Sequence, residues 1–265
     1  MRQKTILLLI TCVIVVSLFA HEYIILAAKY VVKKGEKFEL RLFVADGFNI
    51  EAERSFQTKI TKNFQLVTNK GSNNLLKETS ENNVQPTFIE SDFDGLAIIH
   101  TERDYAYITL DAEKFKAYLK EDNIDNIHLS ASENKPQRER YTRYLKCLIQ
   151  SNFIKNDTLY KKEVGQNFEI VLLSNPYLKK LGEPIQAQVF FQGKPLANKT
   201  ITARNRIGNL PATVQKAVTN NMGICTFKIN RKGEWFIHAT HMITCEDKKE
   251  ADWESFWTSF SFGLE

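Results

Sequence analysis

The feature that most constrains the fold is a strict alternation of apolar and polar side chains early in the chain. Phe38, Leu40 and Leu42 fall on one side of an extended segment, and Glu39 and Arg41 fall on the other. Successive side chains of a β-strand point to opposite faces, so a period of two residues indicates a strand with one buried face. The segment therefore predicts a half-buried strand.

Short segments of similar character recur along the chain. Further strands are expected at 62–68, 95–101, 104–110, 167–173, 185–192, 198–204, 223–230, 234–243 and 255–262. Turn residues separate them, and Arg231-Lys232-Gly233 is expected to join residues 224–230 and 234–243 in a hairpin. Many short strands spaced by turns are typical of β-sandwiches.

The remaining segments are a helix, two polar stretches and one ambiguous run. Asp111 can cap a helix over 112–121, whose apolar residues share a face. Residues 71–85 predict a solvated loop, and 121–140 predict an exposed connection. Residues 141–151 fit a helical face and a buried strand equally well, and both alternatives stay open.

These patterns predict an all-β chain of two immunoglobulin-like or prealbumin-like β-sandwich domains, with one short helix in the first. Removing a leader of 20 residues from 265 leaves 245, which suits two domains of roughly 100 to 150 residues each. We expect the amino-terminal domain to cover 21–155 and the carboxy-terminal domain to cover 163–265, with the boundary near 152–164.

The first twenty residues have the order of a secretory signal peptide. Arg2 and Lys4 precede an apolar stretch, and Ser17-Leu18-Phe19-Ala20 provides a small-residue end. The apolar stretch is shorter than the ~20 residues that a membrane-spanning helix needs. We expect cleavage after Ala20, with an uncleaved anchor as the alternative. The protein is then periplasmic or secreted, has no membrane span after cleavage, and begins at His21.

Charge and cysteine content narrow the choice of partners. Without Arg2 and Lys4 the chain has 34 basic and 31 acidic residues, a net charge of +3, which argues against a nucleic-acid partner.

In the expected hairpin, Cys245 lies several residues beyond the position opposite Cys225, and this separation exceeds the ~7 Å limit between bridged Cα atoms. We therefore expect Cys147, Cys225 and Cys245 to be free, buried thiols.

The sequence lacks the motifs of the common enzyme classes. No Gly-x-Gly-x-x-Gly, Walker loop, Gly-x-Ser-x-Gly, His-Glu-x-x-His or Cys-x-x-Cys occurs after the leader. We expect a binding protein, with no catalytic residues, rather than an enzyme. Oxidative chemistry at a copper site is the enzymatic alternative.

Among the five histidines, His21 stands out because of its position. After cleavage its α-amine and ring Nδ1 can chelate one metal ion, and another imidazole would complete a nitrogen set that Cu(II) or Ni(II) favours. The alternative is a histidine that merely follows the cleavage site. His238 and His241 point to opposite faces of their expected strand, because an odd number of residues separates them. His100 and His128 have no neighbouring ligand pattern.

An ordered set of short motifs extends over nearly the whole chain after the leader. The motifs are His21-Glu22-Tyr23-Ile24, Gly35-Glu36, Val44-Ala45-Asp46-Gly47-Phe48, Arg140-Tyr141-Thr142-Arg143-Tyr144-Leu145-Lys146, Ser174-Asn175-Pro176-Tyr177, Gly193-Lys194-Pro195-Leu196, Gly233-Glu234-Trp235, His241-Met242 and Ala251-Asp252-Trp253-Glu254-Ser255-Phe256-Trp257. In this order they resemble the exported bacterial family called domain of unknown function 4198. Members have been labelled substrate-specific components of nickel or cobalt uptake, so the resemblance implies periplasmic metal handling.

The resemblance also implies ligands. His21 matches a histidine at the mature start of family members, and His241 matches the one in the His-Met step, whereas His238 falls where members differ. Some members have a histidine after the glycine near the end of the first predicted strand, where this chain has Phe48 after Gly47.

We therefore expect a periplasmic protein that binds nickel, cobalt or copper in uptake or trafficking, with an outer-membrane receptor or a metal transporter as its partner. Its metal ligands are His21 and His241, framed by Asp46, Trp253 and Glu254. The alternative is a non-catalytic immunoglobulin-like interaction module that binds an outer-membrane receptor or a glycan.

The leader gives a direct prediction. Mass spectrometry of protein secreted by its native host should show a chain that starts at His21, because signal peptidase cleaves after small residues. A start at Ala28 or Lys29, after the Ala-Ala pair, would remove the amino-terminal ligand and contradict the metal interpretation.

Overall fold

The structure, a computed structural model, describes residues 22–79 and 87–265. These residues form eighteen strands and one α-helix, which confirms the all-β prediction. The elements are β1 Glu22–Ala27, β2 Val31–Val32, β3 Lys37–Asp46, β4 Asn49–Arg54, β5 Thr61–Thr68, β6 Gly71–Asn74, β7 Thr87–Glu90, β8 Gly95–Arg103, β9 Ala106–Leu110, α1 Ala112–Glu121, β10 Gln137–Ser151, β11 Phe168–Leu172, β12 Pro184–Phe191, β13 Lys194–Pro195, β14 Thr200–Arg206, β15 Thr213–Val218, β16 Ile224–Lys228, β17 Gly233–Thr244 and β18 Trp253–Leu264. In the part of the chain that is described, no helix has the length and apolar character needed to cross a bilayer.

The strands form three sheets. The central sheet has the order β15-β14-β17-β18-β10-β8-β5-β6, and β2 and β9 also pair with β10. The amino-terminal sheet contains β1, β3, β4 and β7, and the carboxy-terminal sheet contains β11, β12, β13 and β16. Parallel pairing of β10 with β18, from Glu139 beside Trp253 to Cys147 beside Ser261, joins strands from the two halves of the chain.

One smaller sheet covers each face of the central sheet, and β10 contributes to both interfaces. Leu145 and Cys147 belong to the core beneath the amino-terminal sheet. Tyr144 and Leu148 point the other way, into the core beneath the carboxy-terminal sheet. A strand that is covered on both faces needs apolar side chains on both, so the two-residue alternation disappears. This explains why the periodicity of residues 141–151 was ambiguous: they are strand.

The helix and the two polar stretches agree with the predictions in part. Helix α1 has the predicted bounds, and β10 also takes in the last residues of the connection expected over 121–140. The segment 71–85, expected to be a loop, contains β6 and a short 3-10 helix, and residues 80–86 lie outside the described part of the chain. The sequence patterns did not predict β1, β4, β7 or β15.

The hairpin expected between 224–230 and 234–243 is wrong. Strand β16 pairs with β12, whereas β17 pairs with β14 and β18, so the two consecutive strands belong to different sheets. Cys225 of β16 and Trp235 of β17 contribute to the same core from its two sides. Strands β16 and β17 each have one apolar face, and these two faces pack against each other across the sandwich. Gly233, at φ 92°, lies where the chain enters β17.

Cys147, Cys225 and Cys245 are free and buried, as predicted. The reason differs from the one expected, because Cys225 lies in the carboxy-terminal sheet and Cys245 follows the end of β17 in the central sheet. The layer arrangement, rather than an offset within one hairpin, keeps these two thiols apart.

The predicted domain boundary at 152–164 coincides with the segment between β10 and β11. Strands from before and after this segment nevertheless lie side by side in the central sheet. Within the segment, Leu159 is 5% exposed and belongs to the core beneath the carboxy-terminal sheet. The two halves therefore share a hydrophobic core.

A buried ion pair also connects the halves. The side chains of Lys146 in β10 and Glu169 in β11 are 1% and 2% exposed and hydrogen bonded to each other. The Glu169 carboxylate accepts further hydrogen bonds from the backbone N–H groups of residues 164–166, at 2.7, 3.0 and 3.1 Å. Lys146 Nζ donates to the carbonyl oxygen of Ile170 at 2.9 Å. Both charges are thus compensated inside the core.

Lys146→Met should lower the free energy of unfolding by about 3–5 kcal/mol, because Glu169 would remain buried without its cation. Urea denaturation would measure the loss. In the double variant Lys146→Met/Glu169→Gln no unpaired charge remains, so it should be more stable than the single variant. Equal losses in both variants would contradict this account of the pair.

Candidate functional site

The candidate site begins where β1 meets the central sheet. Strand β1 pairs along one edge with β3, and its other edge rests on β18. There the hydroxyl of Ser259 donates to the carbonyl of Tyr23 at 3.0 Å, and that of Ser261 donates to the carbonyl of Ile25. One edge of β1, rather than one of its faces, contacts the central sheet. Its successive side chains therefore point in opposite directions along the surface of that sheet. Glu22 points towards β17 and β14, and Tyr23 points towards β10 and β8.

Around Glu22, five residues form what we call the amino-terminal cluster: Glu22, Asp46, Gly47, Arg204 and His238. Glu22 Oε1 lies 3.0 Å from His238 Nε2, and Glu22 Oε2 accepts a hydrogen bond from the Gly47 N–H at 2.6 Å. Arg204 Nη2 is 3.5 Å from Glu22 Oε1 and 4.0 Å from Asp46 Oδ1. Arg204 Nε also lies 3.4 Å from His238 Nε2.

Burial controls the protonation of this cluster. It raises the pKa of Glu22, although the charge of Arg204 and the N–H of Gly47 act in the opposite direction. Burial, with the charge of Arg204, lowers the pKa of His238 to about 3. The imidazole is therefore neutral near pH 7. A neutral imidazole has one N–H and one lone pair, so Nε2 either donates to Glu22 or accepts from Arg204.

The carboxyl end of α1 brings further titratable groups to the same side of β17. Burial raises the pKa of Asp122 well above its usual range, and the charges of Glu22, Glu121 and Glu139 add to the effect. Burial also lowers the pKa of Lys199 to about 8. Asp122 is electrostatically coupled to the amino-terminal cluster through the charge of Glu22, and Lys199 is coupled to Asp122.

A buried hydrogen-bond network lies beneath α1. Glu139 accepts hydrogen bonds from the hydroxyl of Tyr118 at 3.0 Å and from that of Ser255. The indole Nε1 of Trp257 donates to Ser255 Oγ at 3.1 Å. Burial raises the pKa of Glu139 to about 7, against the two hydrogen bonds and the charge of Arg143, which lower it.

His241, one of the two expected metal ligands, lies on the other face of the central sheet. Its ring centroid is 6.0 Å from that of Phe168 and 4.5 Å from that of Phe191. Burial lowers its pKa to about 4. His238 and His241 thus lie on opposite faces of β17, as their spacing predicts. The imidazole that faces β1 is that of His238.

Of the other expected site residues, Asp46, Trp253 and Glu254 lie in three different parts of the structure. His21, which precedes Glu22 in the chain, lies outside the described residues. Asp46 belongs to the amino-terminal cluster. Trp253 Nε1 donates to Gln137 Oε1 at 2.8 Å, and its ring packs on Phe115 of α1.

Glu254 lies on the opposite face of β18 from Trp253. Its carboxylate accepts hydrogen bonds from the Tyr105 hydroxyl, at 2.5 Å, and from Arg140 Nη2, at 2.7 Å. Glu254 is therefore separated from the amino-terminal cluster by the central sheet.

Two observations bear on a metal site. Among residues 22–79 and 87–265, no group of three or more His, Cys, Asp or Glu side chains is arranged to hold a metal ion. Glu22 and His238 nevertheless place one carboxylate and one neutral imidazole together. Any metal bound there would need at least one further ligand from outside the described residues.

Sequence reasoning missed Arg204, Glu139 and the role of Glu22. Glu139 shares one side of β10 with Tyr141 and Arg143, which are partly exposed, so its own burial was not evident from the alternation of the strand. Arg204 carried none, because Glu22 lies far away in sequence and in another sheet, and only the packing of β1 over the central sheet brings the two side chains near each other.

Comparisons with known proteins identify a family. The family described as Domain of unknown function (DUF4198) matches residues 18–243. No curated protein matches the chain. Among solved structures, the D0-D1 domain of intimin is 12% identical, with 91% of this chain and 97% of that chain covered, at a TM-score of 0.20. A β-glucuronidase from Parabacteroides merdae is also 12% identical, with 84% and 23% covered, at a TM-score of 0.20. At this TM-score neither structure informs the function.

The Glu139 network predicts a pH-dependent stability. The folded protein raises the pKa of Glu139 from 4.5 to about 7, so it binds a proton more tightly than the unfolded chain does. Its free energy of unfolding should therefore fall by about 3 kcal/mol as the pH rises through this range. Glu139→Gln mimics the protonated carboxyl and should flatten this slope in urea denaturation between pH 4.5 and 8.

The matched control is Glu113→Gln, at an exposed position in α1 where the side chain is 85% exposed. This variant should keep the slope of the unmodified protein. A Glu139→Gln variant that also kept it would contradict the assignment of the titration to Glu139.

Proposed function

Since the chain belongs to the family described as Domain of unknown function (DUF4198), we propose that it is an exported, non-catalytic protein that binds a divalent transition metal. Nickel, cobalt or copper is the metal, and its uptake or trafficking in the periplasm is the process. The family match extends over His21, His238 and His241.

The observation that carries the proposal is the contact between Glu22 Oε1 and His238 Nε2 at 3.0 Å. Glu22 is covalently joined to His21, whose α-amine and imidazole are the chelating pair expected at the mature start. A buried imidazole beside the residue that follows His21 supplies the type of ligand that this chelate lacks. His238 therefore replaces His241 in the proposed ligand set, because His241 lies on the other side of the sheet.

The chemistry of His238 suits this role. Its pKa of about 3 keeps the ring neutral, so protons do not compete for its lone pair near pH 7. Glu22 would add a carboxylate, which also binds divalent metals. Arg204 opposes a cation at this position, but its guanidinium is 23% exposed and also contacts Asp46, which is 69% exposed. Arg204 thus has a second carboxylate with which to pair.

Calorimetric titration with Ni(II), Co(II) and Cu(II) tests the ligand set on protein with its native His21 start. His238→Ala should weaken binding by about tenfold or more, the usual scale for loss of a metal-site group. His241→Ala is the matched control and should leave the affinity unchanged. One additional residue before His21 converts the α-amine to an amide and should abolish binding, while the melting temperature of the metal-free protein stays the same.

The pH dependence should identify the amine. Unperturbed α-amines and imidazoles have pKa values of about 7.7–8.0 and 6.5, and only their deprotonated forms bind metal. Affinity should fall steeply between pH 8 and 6, whereas the low pKa of His238 contributes nothing in this range. Equal affinities for the native start and the extended form would contradict the proposal.

A second candidate function is an interaction module for an outer-membrane receptor or a glycan. One observation favours it: Val214 and Val218, on one face of the edge strand β15, are 48% and 61% exposed. Apolar side chains exposed on an edge strand mark a surface suited to contact with another molecule. Failure of every native-start sample to bind metal would favour this alternative.

A further inference from the structure

Two arginine side chains on the other side of β1 lack a carboxylate partner. Arg103, the last residue of β8, is 5% exposed, and its Nη1 has no hydrogen-bond partner. Its Nη2 makes one long hydrogen bond to Gln57 Oε1, at 3.4 Å. Arg143 in β10 likewise has a buried Nε without a partner. Within the described residues, neither arginine belongs to an ion pair.

The two guanidinium groups share one aromatic ring. The central carbon of the Arg103 guanidinium lies 5.5 Å from the centroid of the Tyr23 ring, and that of Arg143 lies 4.0 Å from it. Arg143 also lies 4.5 Å from the ring of Tyr141 and 5.9 Å from that of Trp257. The rings provide cation–π attraction and form walls around the two cations, but they carry no net negative charge.

The charges around this pair are unfavourable. Burial lowers the pKa of Arg103, and the positive charges of Arg143 and Arg54 add to the effect, whereas Tyr23 and Tyr141 oppose it. Arginine stays protonated in proteins, so both guanidinium groups keep their charge. The charge of Arg143 acts on the carboxyl of Glu139. Burial raises the pKa of that carboxyl to about 7, and it already accepts hydrogen bonds from Tyr118 and Ser255.

A buried cation without a counterion is strongly disfavoured, because it has lost its hydration shell and gained no opposite charge. The guanidinium fork matches the geometry of carboxylate and phosphate oxygens, to which it can donate two parallel hydrogen bonds. Arg143, Tyr23 and Tyr141 are partly exposed, so the site faces solvent on the side of Arg143, whereas Arg103 lies deeper at 5% exposure.

We propose that Arg103 and Arg143 form a binding site for a small oxyanion of the carboxylate or phosphate class, with the rings of Tyr23 and Tyr141 as its walls. The oxyanion supplies negative charge to two guanidinium groups that have no ion-pair partner among residues 22–79 and 87–265. Tyr23 follows Glu22 directly, so the oxyanion site and the amino-terminal cluster lie on opposite sides of the same strand. The two sites use different residues.

The experiment uses metal-free protein in a buffer without carboxylate or phosphate, at constant ionic strength to hold general screening fixed. Inorganic phosphate, acetate and benzoate are the probes, with saturable binding followed by calorimetry and by melting temperature. We expect at least one probe to bind and to raise the melting temperature. Tighter binding of phosphate than of acetate would identify a phosphate-type ligand, and tighter binding of benzoate would identify a carboxylate on an aromatic group.

Arg143→Gln is the main variant, and we expect it to weaken the best probe by about tenfold or more, since charge-assisted bidentate bonds are lost. Arg143→Lys keeps the positive charge but cannot donate two parallel hydrogen bonds. Its affinity should therefore fall between those of the unmodified protein and Arg143→Gln. Arg138→Gln is the matched control, because Arg138 lies on the opposite face of β10 and pairs with Asp252 at 3.0 Å. It should bind like the unmodified protein.

Two outcomes would overturn the proposal. The first is an absence of saturable binding for all three probes, which would mean that the aromatic rings alone stabilise the arginines. The second is equal binding by the unmodified protein and Arg143→Gln, which would place the anion elsewhere. Both measurements are made without metal, so they do not depend on the proposed metal function.

Discussion

The parallel pairing of β10 with β18 is the constraint on which the rest of the structure depends. It joins Glu139–Cys147 to Trp253–Ser261 and makes one central sheet from strands far apart in sequence. Each half of the chain then supplies a smaller sheet that covers one face. The buried pair of Lys146 and Glu169 strengthens the connection on one face, and the serine hydroxyls of β18 hold β1 on the other.

The edge-on position of β1 explains why two chemically different sites lie so close together. A strand lying flat on a sheet would bury every second side chain and expose the others. Strand β1 instead directs Glu22 to His238 and Arg204, and Tyr23 to Arg103 and Arg143. One side therefore collects a carboxylate and a neutral imidazole, and the other collects two guanidinium groups that form no ion pair within the described part of the chain. A proposed metal site and a proposed oxyanion site follow from this one geometry.

Burial gives these polar groups their unusual protonation states. In water a glutamate is charged and a histidine titrates near neutrality, but the pKa of Glu139 is about 7 and that of His238 is about 3. In both cases the charged form is disfavoured because the low-dielectric surroundings replace water. The same effect makes the uncompensated Arg103 unusual, since a guanidinium cannot escape the cost by losing its proton.

The sequence by itself determined the all-β class, helix α1, most strands and the opposite faces of His238 and His241, because local periodicity and spacing fix these features. It also identified the family. Only the tertiary structure decided that β16 and β17 oppose each other in different sheets, and that His238 rather than His241 faces β1. Which face of a strand meets which neighbour depends on pairing between distant segments. No local pattern encodes this pairing, nor the packing of β1 over the central sheet that brings Glu22 to Arg204.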